Sequence, residues 1–358
     1  MAAELQETRA SKLFGVRYPI VQTGMGWVAG ARLTAATSAA GGLGVLATAT
    51  MNFEEFQHAI GRVKARTTNP FGVNFRADLP DLAKRIDLTI AEQIPIVSFA
   101  GPPTKEAVVR LHEAGIACMS TVGARRHAEK VVDWGVDAVI AQGGEGGGHT
   151  GSVPTGILVP QVVEAVGDTV PVLAAGGIHN GRGLLAALAW GADGVAMGTR
   201  FLLTAESHVP DAIKARYLET GVFDTVVTTS IDGRPQRVIR TAVIDKLERS
   251  SPPARLARAA RSALGFRKLG GASVRELTST GLSMHREGGL SWSQVLMAAN
   301  APMLTKEALV DGRPGAGILP TGQVVGVIDK LPTVAEVIEQ MVDEAGASYE
   351  RLATLFGR

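Results

Sequence analysis

The chain has 358 residues, 46% of them hydrophobic and 20% charged, which allows a large core and excludes a disordered or fibrous protein. A net charge of +2 lacks the concentrated positive surface of a nucleic-acid binder. The single cysteine, Cys118, excludes an internal disulfide framework and fits a reducing cytoplasm, and with no apolar leader in Met1 to Arg17 and no membrane-length apolar run, a soluble cytoplasmic protein is expected.

In chain order, eight short apolar runs predict strands: Pro19–Gln22, Leu43–Thr48, Phe71–Phe75, Ile94–Phe99, Ile116–Ser120, Asp137–Gln142, Pro171–Ala175 and Asp193–Met197. They are apolar rather than alternating, as parallel strands buried on both faces are. Helical patterns lie between them at Ala31–Ala40, Phe53–Lys64, Leu82–Glu92, Lys105–Ala114, Arg125–Trp134, Pro160–Val166 and Arg182–Trp190. Asn52 followed by Glu55 reads as a capping box, and Thr104 as an N-cap. Trp134-Gly-Val-Asp-Ala-Val-Ile-Ala-Gln-Gly143 echoes Trp190-Gly-Ala-Asp-Gly-Val-Ala-Met-Gly-Thr199, two copies of one junction between helix and strand.

After Phe201 the strand rhythm stops. Helices are expected at Glu206–Leu218, Arg255–Leu264 and Trp292–Asn300, the last capped by Ser291 and stopped by Pro302, with a short strand at Val226–Ser230. The expected fold is α/β, a (β/α)8 TIM barrel with a mainly helical C-terminal cap. Residues 1–205 and 315–330 would form the barrel, 206–314 the cap and 331–358 a C-terminal helix.

The chemistry is sought at the C-terminal ends of the strands. Ala141-Gln-Gly-Gly-Glu-Gly-Gly-Gly-His-Thr-Gly151 follows the sixth strand, with glycine at six of eleven positions. Alone, such a loop reads as a connector and its histidine as structural or solvated. Its neighbours alter that reading. The last two strands run into Gly176-Gly177 and Gly198-Thr199, which describes the phosphate site of such a barrel, while Gln22-Thr-Gly-Met-Gly26, Asn74 and Gln142 put amides and glycines around the same mouth. A heterocycle joined to a phosphate suits these residues, and flavin mononucleotide (FMN) fits that description.

Other residues carry two readings each. Trp27, Met25 and Phe75 either line a hydrophobic substrate pocket or simply pack. From Asp232 to Lys268 there are ten Lys or Arg against three Asp or Glu. This is either a solvated basic face or a clamp for coenzyme A phosphates, with Arg237 and Arg240 as candidates. Glu145 reads as a second acid or a loop charge, and His179 as a cofactor contact or a solvated loop residue. The seven histidines show no paired metal-ligand spacing, so no metal is expected. Cys118 reads as a buried small hydrophobe.

Gln22-Thr-Gly-Met-Gly26, Gly41-Gly-Leu-Gly44, Gly72-Val-Asn74, Gln142-Gly-Gly-Glu-Gly-Gly-Gly-His149, Ala174-Ala-Gly-Gly-Ile178 and Gly194-Val-Ala-Met-Gly-Thr-Arg-Phe201 together resemble the nitronate monooxygenase family, formerly the 2-nitropropane dioxygenases, which includes flavin-dependent enoyl-ACP reductases. The likeness continues in order to Gly322-Gln323. Val21-Gln-Thr-Gly-Met-Gly-Trp-Val-Ala-Gly30, Val226-Val-Thr-Thr229 and Leu290-Ser-Trp-Ser-Gln-Val-Leu-Met-Ala-Ala-Asn300 are similar to an actinobacterial subgroup of steroid ring C and D breakdown.

The resemblance implies FMN held by Gln22, Gly24 and Met25 near the ring, Asn74 and Gln142 at its polar edge, and Gly176, Gly177, Gly198 and Thr199 at the phosphate, with Gly147 as a further cofactor-binding residue. It implies His149 as the catalytic base. Many members have Glu-Ala-Gly-Gly-His where this chain has Glu145-Gly-Gly-Gly-His149, so the loop here is expected to be looser. The subgroup implies desaturation of a hydroxylated indane carboxyl-CoA: the thioester acidifies the α-hydrogen, an imidazole removes it, and the β-hydride passes to the flavin. Histidine, with an unperturbed pKa of about 6.5, suits that task. NAD or another acceptor would take the electrons onward. Oxidation of alkyl nitronates by O2 is the competing function, and a flavin-binding barrel without turnover the third. The expected partner is then a small molecule, a CoA thioester, with no nucleic acid and no membrane, and a homodimer is the candidate assembly.

Overall fold

The computed structural model describes residues 5–251 and 300–357. The predicted helix Arg255–Leu264, residues 292–299 of the predicted helix ending at Asn300, and the part of the basic stretch beyond Ser251 lie outside them.

Eight parallel strands close a barrel: β1 (Ile20–Gln22), β2 (Leu43–Ala47), β3 (Phe71–Phe75), β4 (Ile96–Phe99), β5 (Ala117–Val122), β6 (Ala138–Gln142), β8 (Val172–Ala175) and β9 (Gly194–Met197), the last pairing back onto β1 with Val21 opposite Ala196. Each of the eight predicted strands is one of these. Alternate residues face inward, so Val21, Val45, Ile96, Met119, Ile140 and Leu173 fill the barrel, while their neighbours pack under the helices. Helix α1 (Arg9–Phe14) seals the N-terminal end, its Ala10 and Phe14 joining the interior cluster.

The intervening helices are α2 (Ala31–Ala39), α3 (Phe53–Lys64), α4 (Leu82–Ala91), α5 (Lys105–Glu113), α6 (Arg125–Val132), α7 (Thr155–Val166) and α8 (Gly181–Ala189). Asn52 and Glu55 form the expected capping box of α3, and Thr104 caps α5. Helix α7 starts five residues before the predicted Pro160, which sits inside it. Its first N–H is met from a distance, because the Glu145 carboxylate accepts from Thr155 N at 2.9 Å and Thr155 Oγ1 at 2.7 Å. An acidic side chain at a helix N-terminus is electrostatically favourable, and here it comes from the glycine loop rather than from the preceding residue.

The repeated junction has a physical basis. Asp137 N donates to Cys118 O, and its carboxylate accepts from Cys118 N at 2.8 Å. Asp193 does the same to Val172, with its carboxylate 3.0 Å from Val172 N. Each aspartate latches one strand to its neighbour at the N-terminal rim.

After β9 come the short α9 (Thr199–Leu202), α10 (Asp211–Leu218), β10 (Thr225–Thr228), β11 (Gln236–Ile239) and α11 (Ala242–Glu248), then α12 (Asn300–Leu309) and α13 (Val334–Leu355). The predicted helix Glu206–Leu218 begins only at Asp211, since Pro210 disfavours helical backbone at the residue before it. Pro302 does not stop the helix it was expected to end; α12 continues to Leu309, because proline disturbs the turn preceding it and not the one following. Strand β11 pairs with β10 and with a two-residue strand, β7 (Gly148–His149), cut from the end of the glycine loop. Helix α13 packs against α8 and α2, filling the eighth outer position of the barrel. A methyl group on Gly181 would overlap Met341 O and Ala345 N, so the α8–α13 crossing needs glycine there. No helix among the described residues is long and apolar enough to cross a membrane.

Candidate active site

A cavity of about 470 Å³ opens at the C-terminal ends of the strands, within the range of ligand pockets, roughly 300–1,000 Å³. Met25 and Trp27 after β1, Asn74 on β3 and Gln142 on β6 line one part; Gly176, Gly177, Gly198 and Thr199 line another. Gly147, His149, Asp232 and Gln236 stand over it, and Pro302 and Thr305 of α12 form a further wall. Trp27 is fixed there with φ +65, its ring N–H donating to Pro302 O at 3.2 Å.

The floor is built from backbone because side chains have no room. A methyl group on Gly147 would overlap the Thr321–Gly322 peptide, and one on Gly146 would lie 2.7 Å from Gln142 Nε2. Gly176 and Gly177 have φ of +93 and +73, a region L side chains rarely adopt. At Gly198 a methyl group would sit 3.3 Å from Met25 Sδ. Thr199 Oγ1 accepts from Gly322 N at 2.8 Å, joining the last barrel turn to the Thr321–Gly322 segment.

The amides over this floor are oriented. Asn74 Nδ2 donates to Ser98 O at 3.1 Å and Gln142 Nε2 to His149 O at 2.8 Å. With these nitrogens engaged in the protein, the two amide oxygens remain to accept from a heterocycle edge that carries N–H groups. A flat ring lying on glycine backbone, with a phosphate at Gly176–Gly177 and Gly198–Thr199, fits these residues.

His149 is half exposed on the cavity wall. Its Nε2 lies 2.7 Å from Oδ2 of Asp232, whose side chain is buried, and 3.2 Å from Gln236 Nε2. Burial pushes the Asp232 carboxyl up, but bonds from His149, Gln236 and the Arg234 N–H outweigh it and bring the group below the ordinary carboxylate value.

Several sequence expectations change. Gln22 is fully buried and does not line the cavity: it shares the outward face of β1 with Ile20, and its Nε2 donates to Val45 O at 3.1 Å. Phe75 likewise faces outward, stacked edge-on against Phe56 and Phe99. Arg237 donates from Nε and Nη2 to Gly144 O, at 3.2 and 2.9 Å, and from Nη1 to Thr225 Oγ1, so it braces the glycine loop. Arg240 pairs with Asp245 and Glu248 of α11. Neither lines the cavity, whereas Arg234 and Arg76, not singled out in the sequence, do. Glu145 lines the cavity and at the same time caps α7. His179 is half-buried, and burial first and Arg200 second push its pKa down. His112, Cys118 and Asp137 bring their donor atoms within 4.8 Å of one another, a grouping the histidine spacing did not reveal. Asp137 is already engaged there as a strand latch, just as Asp193 is with Arg9 beside it.

Asp232 and Gln236 were missed because their signal is positional. Asp232-Gly233 marks a turn, but nothing local says that the turn returns to a histidine 83 residues earlier.

The family model for nitronate monooxygenase matches residues 7–87 and 81–344. The chain belongs to the nitronate monooxygenase family. Membership implies a flavin cofactor and oxidoreductase chemistry, in keeping with the glycine floor. Within this family, a Mycobacterium tuberculosis H37Rv protein named (3aS,4S,5R,7aS)-5-hydroxy-7a-methyl-1-oxo-octahydro-1H-indene-4-carboxyl-CoA dehydrogenase is 54% identical over 339 residues, covering 94% of this chain and 96% of its own. The protein of the same name from Rhodococcus jostii RHA1 is 50% identical over 348 residues, 97% of this chain and 98% of its own. Among solved structures, FabK from Thermotoga maritima superposes with a TM-score of 0.79 at 31% identity, covering 98% of this chain and 100% of that one.

Proposed function

We propose that this chain is an FMN-dependent dehydrogenase that introduces an α,β double bond into a hydroxylated indane carboxyl-CoA ester of steroid ring C and D breakdown. The observation that carries this reading is a histidine on the wall of a glycine-floored cavity, in a chain 54% identical to a dehydrogenase of that name.

Met25, Asn74, Gln142 and Gly147 would hold the FMN ring, with Gly24 giving the space beside Asn74. Gly176, Gly177, Gly198 and Thr199 would hold its phosphate. Bound FMN supplies the two-electron oxidising capacity, and NAD is one candidate for the onward acceptor. The protein's own part is to bind the thioester against this floor and to remove the α-proton at His149, which the thioester carbonyl acidifies. Trp27 and Met25 offer apolar surface for the fused rings. Arg234, exposed at the cavity wall, would meet the CoA portion, whereas Arg76, the other arginine of the lining, is paired with Asp78.

Oxidation of nitronates by O2 is the second reading, favoured by the family description itself. Anaerobic mixing with the indane carboxyl-CoA separates the two. Bleaching of the flavin absorbance by the ester supports the dehydrogenase; no bleaching, together with O2 consumption on propionate 3-nitronate, would replace it with the monooxygenase.

A further inference from the structure

The Asp232 carboxylate is built into its place from three sides. Its Oδ1 accepts the Arg234 backbone N–H at 3.1 Å. Asn300 of α12 donates to the neighbouring Ile231 O at 3.1 Å. Gln236, which faces His149 across the β11–β7 pairing, brings Nε2 to 3.2 Å from the ring nitrogen that Asp232 Oδ2 meets at 2.7 Å. Gln236 also donates to the Asp232 carboxylate, so with a hydrogen on His149 Nε2 both side chains would donate to that one carboxylate.

We propose that Asp232 is a positioning residue that keeps the proton of neutral His149 on Nε2, so that Nδ1 is the atom that accepts the substrate proton. An ionised carboxylate only accepts, so the ring nitrogen facing it must carry hydrogen. A neutral imidazole has one such hydrogen, which leaves the lone pair on Nδ1. After proton transfer the same carboxylate steadies the imidazolium. Among the described residues, the other charged groups near the loop are Glu145, held by Thr155, Arg237, held on Gly144 O, and Arg234 at the rim. The inference rests on His149 being the base of the proposed reaction.

Asp232→Asn tests it sharply. The Arg234 N–H holds an oxygen at the Oδ1 position, so the asparagine NH2 takes the place of Oδ2 and faces His149. The ring must then accept at Nε2 and carry its proton on Nδ1. With the indane carboxyl-CoA, kcat should fall by about 10²-fold or more while KM and the flavin spectrum change little. Asp232→Glu should recover part of the rate. Nitrogen-15 NMR of histidine-labelled protein reads the tautomer directly, Nε2–H in the wild type and Nδ1–H in the variant.

The NMR reading needs no turnover. A wild-type protein with the Nε2–H tautomer that leaves CoA esters untouched keeps the pairing and loses the proposed substrate. Nδ1–H in the wild type overturns the pairing whatever the substrate, and that spectrum decides alone if Asp232→Asn does not fold. An Asp232→Asn protein with unchanged tautomer and kcat overturns it equally.

Discussion

Gly24 abuts Asn74 so closely that a methyl group on the glycine would overlap Cβ and Cγ of the asparagine. The loop after β1 and the end of β3 therefore meet without a spare atom between them. Gly24→Ala must push Asn74 from its bond to Ser98 O, and overpacking of this kind costs roughly 1–3 kcal/mol. Urea unfolding should show that loss, and flavin fluorescence should show weaker cofactor retention. Unchanged stability and retention would mean that the loop yields easily.

His149→Ala removes the only imidazole on the cavity wall among the described residues. General-base catalysis contributes about 10²–10⁴-fold, so kcat on the CoA ester should drop by that order with the flavin still bound. Steady-state turnover normalised to flavin absorbance measures it.

Arg237→Ala removes the fork that grips Gly144 O and Thr225 Oγ1. Burial lowers the guanidinium pKa somewhat, against the pull of Glu145, which marks the group as part of the protein interior and not a free cation. Losing charge-assisted bonds to a half-buried carbonyl costs on the order of 1.5–3 kcal/mol. Thermal unfolding should shift down, and the loop should become a site of limited proteolysis. KM for the CoA ester should hardly move; a large rise in KM would return Arg237 to the substrate.

Asp232 also links stability to pH. Its carboxyl is depressed on folding, although burial works the other way. Such a group adds stability that is complete above the unfolded value of about 3.9 and fades as pH falls through the lower folded value. The stability difference between wild type and Asp232→Ala, read from urea unfolding, should be present at pH 5 and shrink below about pH 4. A difference that persists undiminished at pH 2 would contradict this.

Cys118 is buried, and burial first, then the Asp137 charge, push its thiol up to about 12. Only thiolate reacts readily. The folded protein at pH 8 should consume almost no thiol reagent, and urea-unfolded protein should consume one equivalent per chain. Fast reaction in the folded state would show that the latch region opens.

Much of this molecule is written locally in its sequence. Each barrel strand is an apolar run bounded by turn residues, so all eight could be read from burial on both faces, and the caps at Asn52 and Thr104 from residue type alone. The glycines at 176, 177 and 198 and the amides at 74 and 142 all line the cavity, because strand ends in a closed barrel share one mouth. Tertiary structure decided what local pattern cannot carry. Which way Gln22 points depends on the pleat's parity relative to Val21. What Arg237 holds depends on a strand, β11, that had no clear signature of its own. The eighth outer helix, α13, reaches its place after more than a hundred intervening residues, fixed by the fit of Gly181 against Ala345. The meeting of Asp232 with His149 depends on β7 being recruited as an edge strand by that same β11. Such pairings are set by the relative positions of packed elements, and a residue's neighbours in sequence hold no record of them.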